Sequence, residues 1–284
     1  MTLRSASDGD RDAVLALGLA EEDAWFGAAE IGAEEVGEWI DEEGGLARGV
    51  VAVDDDGRVR GFASPGRHEM VFLADPALTD LVVDELLPWL KARSDVVELM
   101  TIAGDTARRA AFERHGLRHR RSAFTLVRHD SAGPLPAAVF PDGVHVAPYH
   151  LGDADDAVHR LIYVDATWAS VAGHAERDLE GWRITLGPHR SLFLARRDAQ
   201  PAGWVAGRLL DSGRGYIGSL AVATAERGRG LGRALLLHAL TDLQLAGARD
   251  LMLEVEAHNE AALGLYRSVG MEIEREWRTY VSVC

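Results

Sequence analysis

Seven consecutive residues, Arg227-Gly228-Arg229-Gly230-Leu231-Gly232-Arg233, set three guanidinium groups among three glycines. Glycine lets a backbone approach a ligand closely and turn its N–H groups toward it. The Ala- and Leu-rich residues that follow predict a helix over 230–246. Its N-terminal amides and dipole point at the same spot, which suits a diphosphate. An apolar strand expected over 217–222 leads into this loop. Three glycines alone are weak support, since a flexible loop reads the same way. The spacing does not fit the G-x-G-x-x-G dinucleotide fingerprint, which also wants an acid about 20 residues on at the end of the second strand. A P-loop is excluded, because no Gly-Lys-Ser/Thr follows the glycines.

A second pattern begins 27 residues after Gly232: Asn259-x-x-Ala262-x-x-x-Tyr266-x-x-x-Gly270-Met271. Together and at this spacing, the two motifs resemble the acetyl-CoA core of the GCN5-related N-acetyltransferase (GNAT) superfamily. The match is close over this segment and holds in outline over the rest of the second half. The resemblance implies an acetyl-CoA-dependent acyltransferase acting by direct attack in a ternary complex, with acetyl-CoA as co-substrate. It implies that Leu220, Ala221 and Val222 offer backbone groups to the pantetheine arm, as an edge strand does to an added strand. Amides from Gly228 through Arg229, Gly230, Leu231 and Gly232 to Arg233 then hold the pyrophosphate, with Arg227 beside them. Asn259 contacts the pantetheine or the far end of the cofactor, Ala262 belongs to the same motif, and Tyr266 sits beside the thioester sulfur.

Acyl transfer to an amine needs a neutral amine, donors for the oxyanion and a proton for the departing thiolate. A phenol, of ordinary pKa about 10, suits the last task, and Tyr266 is the expected acid. The plainer reading is a core tyrosine on an amphipathic helix. Glu254, between apolar Leu253 and Val255, falls on the opposite face of its strand by alternation. A similar Glu–Tyr pair serves the acetyltransferases of ribosomal protein N-termini, so Glu254 is the candidate base. An exposed carboxylate or a structural ion pair explains it as well, and Glu256 is a weaker rival. His238 is expected to be packed or solvated. Ser219 is a candidate for the acceptor side of its strand. Trp168 and Trp182, with the 163–177 segment, are candidates to wall the acceptor, although buried aromatics are the simpler reading.

The elements around these residues form a repeat. Each half reads as a short strand, an amphipathic helical region, two strands joined by a polar turn, a third strand, a long helix, a strand, a last helix and closing strands. The fold class is α/β (α+β): two tandem GNAT-like domains, each a mixed, mostly antiparallel central sheet flanked by helices. In this the chain resembles tandem members of the superfamily such as the mycothiol synthases, in architecture rather than in substrate. The stretch HDSAGPLPAAVFPDG carries three of nine prolines, so the expected domains are 1–130 and 143–284 with a linker over 131–142. At an offset of 154, Gly116 falls on Gly270 and Ala107 on Ala261. The first half has Leu73-Ala74-Asp75-Pro76-Ala77 where the second has its arginine-glycine loop, Phe112 for Tyr266, Asp105 for Asn259 and Met100 for Glu254. Residues 1–130 therefore read as a degenerate copy.

Composition bounds the alternatives. The chain has 284 residues, a formal charge of −15 and 47% hydrophobic residues, which excludes wholesale disorder. Its one cysteine, Cys284, excludes an internal disulfide, a multi-cysteine zinc site and an iron–sulfur cluster, so no metal is expected. No apolar run approaches the about 20 residues of a membrane helix, and Met1–Asp12 shows no signal-peptide core. A cytoplasmic protein with no membrane partner is expected, and the acid excess argues against nucleic acid. Ten acids lie between Glu21 and Glu43; they form either a solvated helix face or a surface that draws a cationic partner. The expected acceptor is a small-molecule or peptide amine, possibly cationic, and the expected assembly a monomer or weak homodimer. Rival readings are a silent coenzyme-A-binding sensor, an enzyme using another acyl-CoA, and transfer to a hydroxyl.

Overall fold

The computed structural model describes residues 1–66, 70–165, 178–186 and 191–282. The first repeat runs β1 (Thr2–Ser5), α1 (Arg11–Phe26), α2 (Ala33–Glu42), β2 (Val50–Val53), β3 (Val59–Ser64), β4 (Val71–Ala74), α3 (Thr79–Lys91), β5 (Glu98–Ile102), α4 (Thr106–Arg114) and β6 (Leu117–Arg128). The second runs β7 (Val144–Pro148), α5 (Asp155–Arg160), a π-helical turn (Leu161–Asp165), α6 (Leu179–Thr185), β8 (Ser191–Arg197), β9 (Gln200–Leu209), β10 (Gly215–Val222), α7 (Leu231–Leu245), β11 (Leu251–Glu256), α8 (Glu260–Arg267) and β12 (Glu272–Ser282). The element order thus repeats as the sequence indicates. By internal contacts the chain divides into unit 1, residues 1–123 with 275–284, and unit 2, residues 124–274. Among the described residues no helix is long and apolar enough to cross a membrane.

In unit 1, β1 to β4 form an antiparallel sheet in chain order. β5 pairs antiparallel with the 277–281 stretch of β12. The run Val50-Val51-Ala52-Val53 is buried on both faces, because helices cover both. Val50 and Ala52 pack with Val82, Leu86 and Leu90 of α3. Val51 and Val53 pack with Val14 and Leu17 of α1 and Val36 and Ile40 of α2. The acidic run is only partly a solvated face: Asp23 is exposed, but Glu21 and Glu43 are buried.

Unit 2 repeats the three-layer plan on the sheet order β6-β11-β10-β9-β8-β7. One face carries Leu251, Leu253, Val255, Ile217 and Val205 against Leu231, Leu235 and Leu243 of α7 and Leu263 of α8. The other carries Leu194, Trp204, Ala206 and Ala221 against Val158, Leu161, Ile162 and Trp182. The polar turn between β8 and β9 is only two residues long, with strands reaching Arg197 and Gln200. Asp198 and Ala199 close it, both at positive φ, 47° and 65°. Two such residues match the twist of a tight hairpin; aspartate is a residue type that enters this region, alanine is not.

Candidate functional site

The site is built where β10 parts from its neighbour. β10 pairs in parallel with β11 over three residues, ending at Ile217 opposite Leu253. It stays paired with β9 through Val222, after a bulge between Ile217 and Ser219. Such a bulge turns a strand away from its ladder. Leu220, Ala221 and Val222 therefore have no recorded β11 partner, and that edge is left to accept an added strand or an extended ligand.

The loop after this edge is open and cationic. Arg227 donates through Nε to the Val222 carbonyl at 3.3 Å. Gly228 and Gly230 lie at φ +73° and +83°, with nothing within 4 Å of where a Cβ would stand. Both conformations strain a side-chain-bearing residue. Gly230 is the N-cap of α7, and no side chain caps that end. The first backbone bond at that end runs from Ala234 N to Gly230 O, 3.0 Å, so the preceding amides have no intrahelical acceptor. No acid occupies the first turn. Just upstream, buried Glu226 is bound by Arg197 at 2.8 Å and lies 3.9 Å from Arg229. Amides of Leu231, Gly232 and Arg233, two open glycines and Arg227, Arg229 and Arg233 thus gather at one helix start, a donor set of the kind that suits an anion. The donor set fits a diphosphate, and the β10 edge next to it suits an extended arm.

α8 closes the other side. A Cβ at Gly232 would meet Val222 at 3.4 Å and Leu265 at 3.6 Å, so β10, the start of α7 and α8 converge there. Leu220, Val222, Ala262 and Leu265 all pack on the core that holds Tyr266. Tyr266 is 9% exposed, and burial alone pushes its phenol up to about 12. The side-chain oxygen of Asn259 caps α8, accepting from Ala262 N at 3.1 Å, a structural duty that its spacing to Ala262 foreshadowed.

β11 alternates as expected: Leu251, Leu253 and Val255 enter the α7–α8 core, while Glu254 is exposed on the other face. Glu256, also on that face, is buried at 5% with His258 Nδ1 at 4.0 Å. Tyr266 and Glu254 thus address opposite faces of the sheet, beside the point where β10 parts from β11. His238 packs edge-on against Phe193 and Phe140, with ring centroids at 4.5 and 5.8 Å. Trp182 is a core residue, 3% exposed. Trp168, residues 166–177 and Cys284 lie outside the described residues. Thr224 Oγ1 donates to the Asp165 carbonyl at 2.7 Å, a bond that no residue pattern announces, and ties the end of the π-helical turn to the residues leading into the arginine-glycine loop.

Comparisons with known proteins bear on the family and the fold. Residues 157–271 match a family model described as "Acetyltransferase (GNAT) family". Mycothiol acetyltransferase of Gordonia bronchialis is 32% identical over 233 residues, 73% of this chain and 72% of that protein. A GCN5-related N-acetyltransferase from Sphaerobacter thermophilus superposes with a TM-score of 0.77, covering 99% of this chain and 95% of its own at 23% identity. A tandem GNAT protein from the clavulanic acid biosynthesis pathway does so with a TM-score of 0.71, over 99% and 98%, at 16% identity. At these identities the two structures speak to the fold alone.

Proposed function

The chain belongs to the GNAT family of acetyltransferases, and from that premise we propose that it moves an acetyl group from acetyl-CoA to the amine of a small molecule or peptide, both bound at once. On this reading residues 143–284 form the cofactor-binding domain, joined by a linker over 131–142 to residues 1–130, a copy that binds no cofactor. When bound, the thioester supplies an acyl carbon open to attack by an amine. The amides of Gly228–Arg233, with the guanidinium groups of Arg227, Arg229 and Arg233, hold the diphosphate, and the free β10 edge aligns the arm.

The protein's own groups then manage two protons. Glu254, on the face away from α7, takes the proton of the incoming ammonium, directly or through a water. Tyr266 stays protonated at neutral pH, because burial raises its pKa, and donates to the charge developing on the sulfur. No protein nucleophile is required. Relatives that align along most of the chain are named for mycothiol, which favours a small-molecule acceptor over a peptide. The formal charge of −15 favours a cationic one.

The observation that carries this reading is the free edge of Leu220–Val222 beside an uncapped, arginine-flanked helix N-terminus. The test is acetyl-CoA titration followed by acceptor-dependent thiol release, across small amines and short peptides, with mass spectrometry of the product. Acetyl-CoA should bind and the product should carry its acetyl group on nitrogen. Failure to bind acetyl-CoA, or acetylation at oxygen, contradicts the proposal.

A further inference from the structure

We propose that Ser219 is the acceptor-contacting residue of unit 2, its hydroxyl meeting the incoming amine where β10 parts from β11. This rests on the acetyl-transfer reading above and names a residue on its acceptor side.

The Ser219 Oγ is buried and has no hydrogen-bond partner among the described residues. Native structures satisfy nearly all buried polar atoms, so an exception calls for a cause. Its place supplies one. Ser219 is the first residue past the β10 bulge, and a bulge re-aims the side chain beside it. Leu220 and Val222 turn toward the α7–α8 core, whereas Ala221 joins the core on the opposite face. Alternation therefore places Ser219 with Ala221, on the face that Glu254 and Glu256 share. Its cross-strand partner is Ala206, so small side chains border the hydroxyl. The π-helical turn Leu161–Asp165 packs over β9 and β10 on that face, and such turns concentrate at functional sites.

A hydroxyl here can accept an N–H from the amine and hold the nitrogen lone pair toward the strand gap. The carboxylate of Glu254 shares its face and takes the surplus proton. The small amine then meets a hydroxyl that no group among the described residues engages.

The test uses the full chain in a Cys284→Ser background, which removes the one native thiol. Ser219→Cys places a thiol of similar size at the hydroxyl's position. With acetyl-CoA added, the introduced thiolate attacks the thioester carbonyl carbon, a new C–S bond forms, the bond to the coenzyme sulfur breaks, and the coenzyme leaves as its thiolate and takes up a proton. Intact-mass and peptide mapping should show one acetyl group on that thiol. It should appear on the order of a hundredfold faster than on a control thiol from Ser268→Cys, an exposed position, because proximity replaces a bimolecular encounter. Ser219→Ala should leave acetyl-CoA affinity unchanged and the thermal midpoint unchanged or higher, since alanine removes an unpartnered polar atom. A Ser219→Cys protein that binds acetyl-CoA yet stays unacetylated overturns the proposal. A lowered midpoint in Ser219→Ala does so too, by revealing an internal partner. If the parent protein fails to bind acetyl-CoA, the transfer reading itself falls and takes this one with it.

Discussion

The two units handle the same strand edge in opposite ways. Gly61 of β3 packs against Val82 and Leu86 of α3 as Gly203 of β9 packs against Leu231 and Leu235 of α7. With Ala74 paired to Gly61 and Val222 to Gly203, Ala74 is the counterpart of Val222. In unit 2 that edge faces a gap. In unit 1 the Ala74 amide donates to the Glu21 carboxylate at 2.6 Å. Glu21 is in turn paired with Arg108, and both are at most 2% exposed. The following turn is also closed, with Asp75 accepting from Ala77 N at 3.0 Å and bound by Arg60 at 2.7 Å. Phe112, where unit 2 has Tyr266, lies edge-on to Phe72 and Tyr280 at 5.8 Å. Asp105 and Asn259 cap their helices alike, accepting at 2.9 and 3.1 Å. In unit 1 the amides of Ala74 and Ala77 are bonded to the unit's own carboxylates.

The largest effect should come from opening that internal closure. Arg108→Leu leaves the buried Glu21 carboxylate without its cation and should cost about 3–5 kcal/mol in denaturant unfolding. Adding Glu21→Gln should recover most of it, because a neutral amide leaves no unpaired charge and its oxygen still accepts from the Ala74 amide. Neither change should alter acetyl-CoA affinity. An altered affinity would break the division of labour between the units.

Tyr266→Phe makes unit 2 resemble unit 1 at one atom. It should lower kcat about a hundredfold, the scale of one acid–base group, with acetyl-CoA affinity intact. An unchanged kcat would reduce Tyr266 to a core residue, as Phe112 is. The same phenol predicts an alkaline signature. Its folded pKa is raised to about 12 by burial, so the neutral form favours the fold. Its contribution is complete below about pH 10 and is lost as pH climbs toward 12, by roughly 2 kcal/mol. Unfolding of the parent should steepen over that window relative to Tyr266→Phe.

Gly230→Ala should have the smallest effect. A side chain at φ +83° strains the start of α7 by about 1 kcal/mol, read as a small loss of stability and a severalfold loss of acetyl-CoA affinity.

Much of this was legible because it is local. The arginine-glycine loop and the Asn259–Tyr266 spacing are contiguous, and their helix and strand follow from composition and period. The closure in unit 1 was not legible: Glu21 sits in an acidic run that reads as solvated, and Arg108 lies 87 residues away. The bulge before Ser219 is marked in residue type only by Gly218, since a glycine inside a strand often sits at a bulge. The Asp198–Ala199 turn lacks the glycine or asparagine that announces positive φ. Acceptor residues come from scattered segments on the second face of the sheet, where no single spacing defines them.

The most direct test is calorimetric titration of the full chain with coenzyme A, alongside a variant carrying Arg227→Glu, Arg229→Glu and Arg233→Glu. The parent should bind one equivalent per chain, and reversing three charges at the α7 entrance should abolish that binding while leaving the unfolding midpoint close to the parent's. Two equivalents per chain, or undiminished binding by the charge-reversed variant, would contradict it.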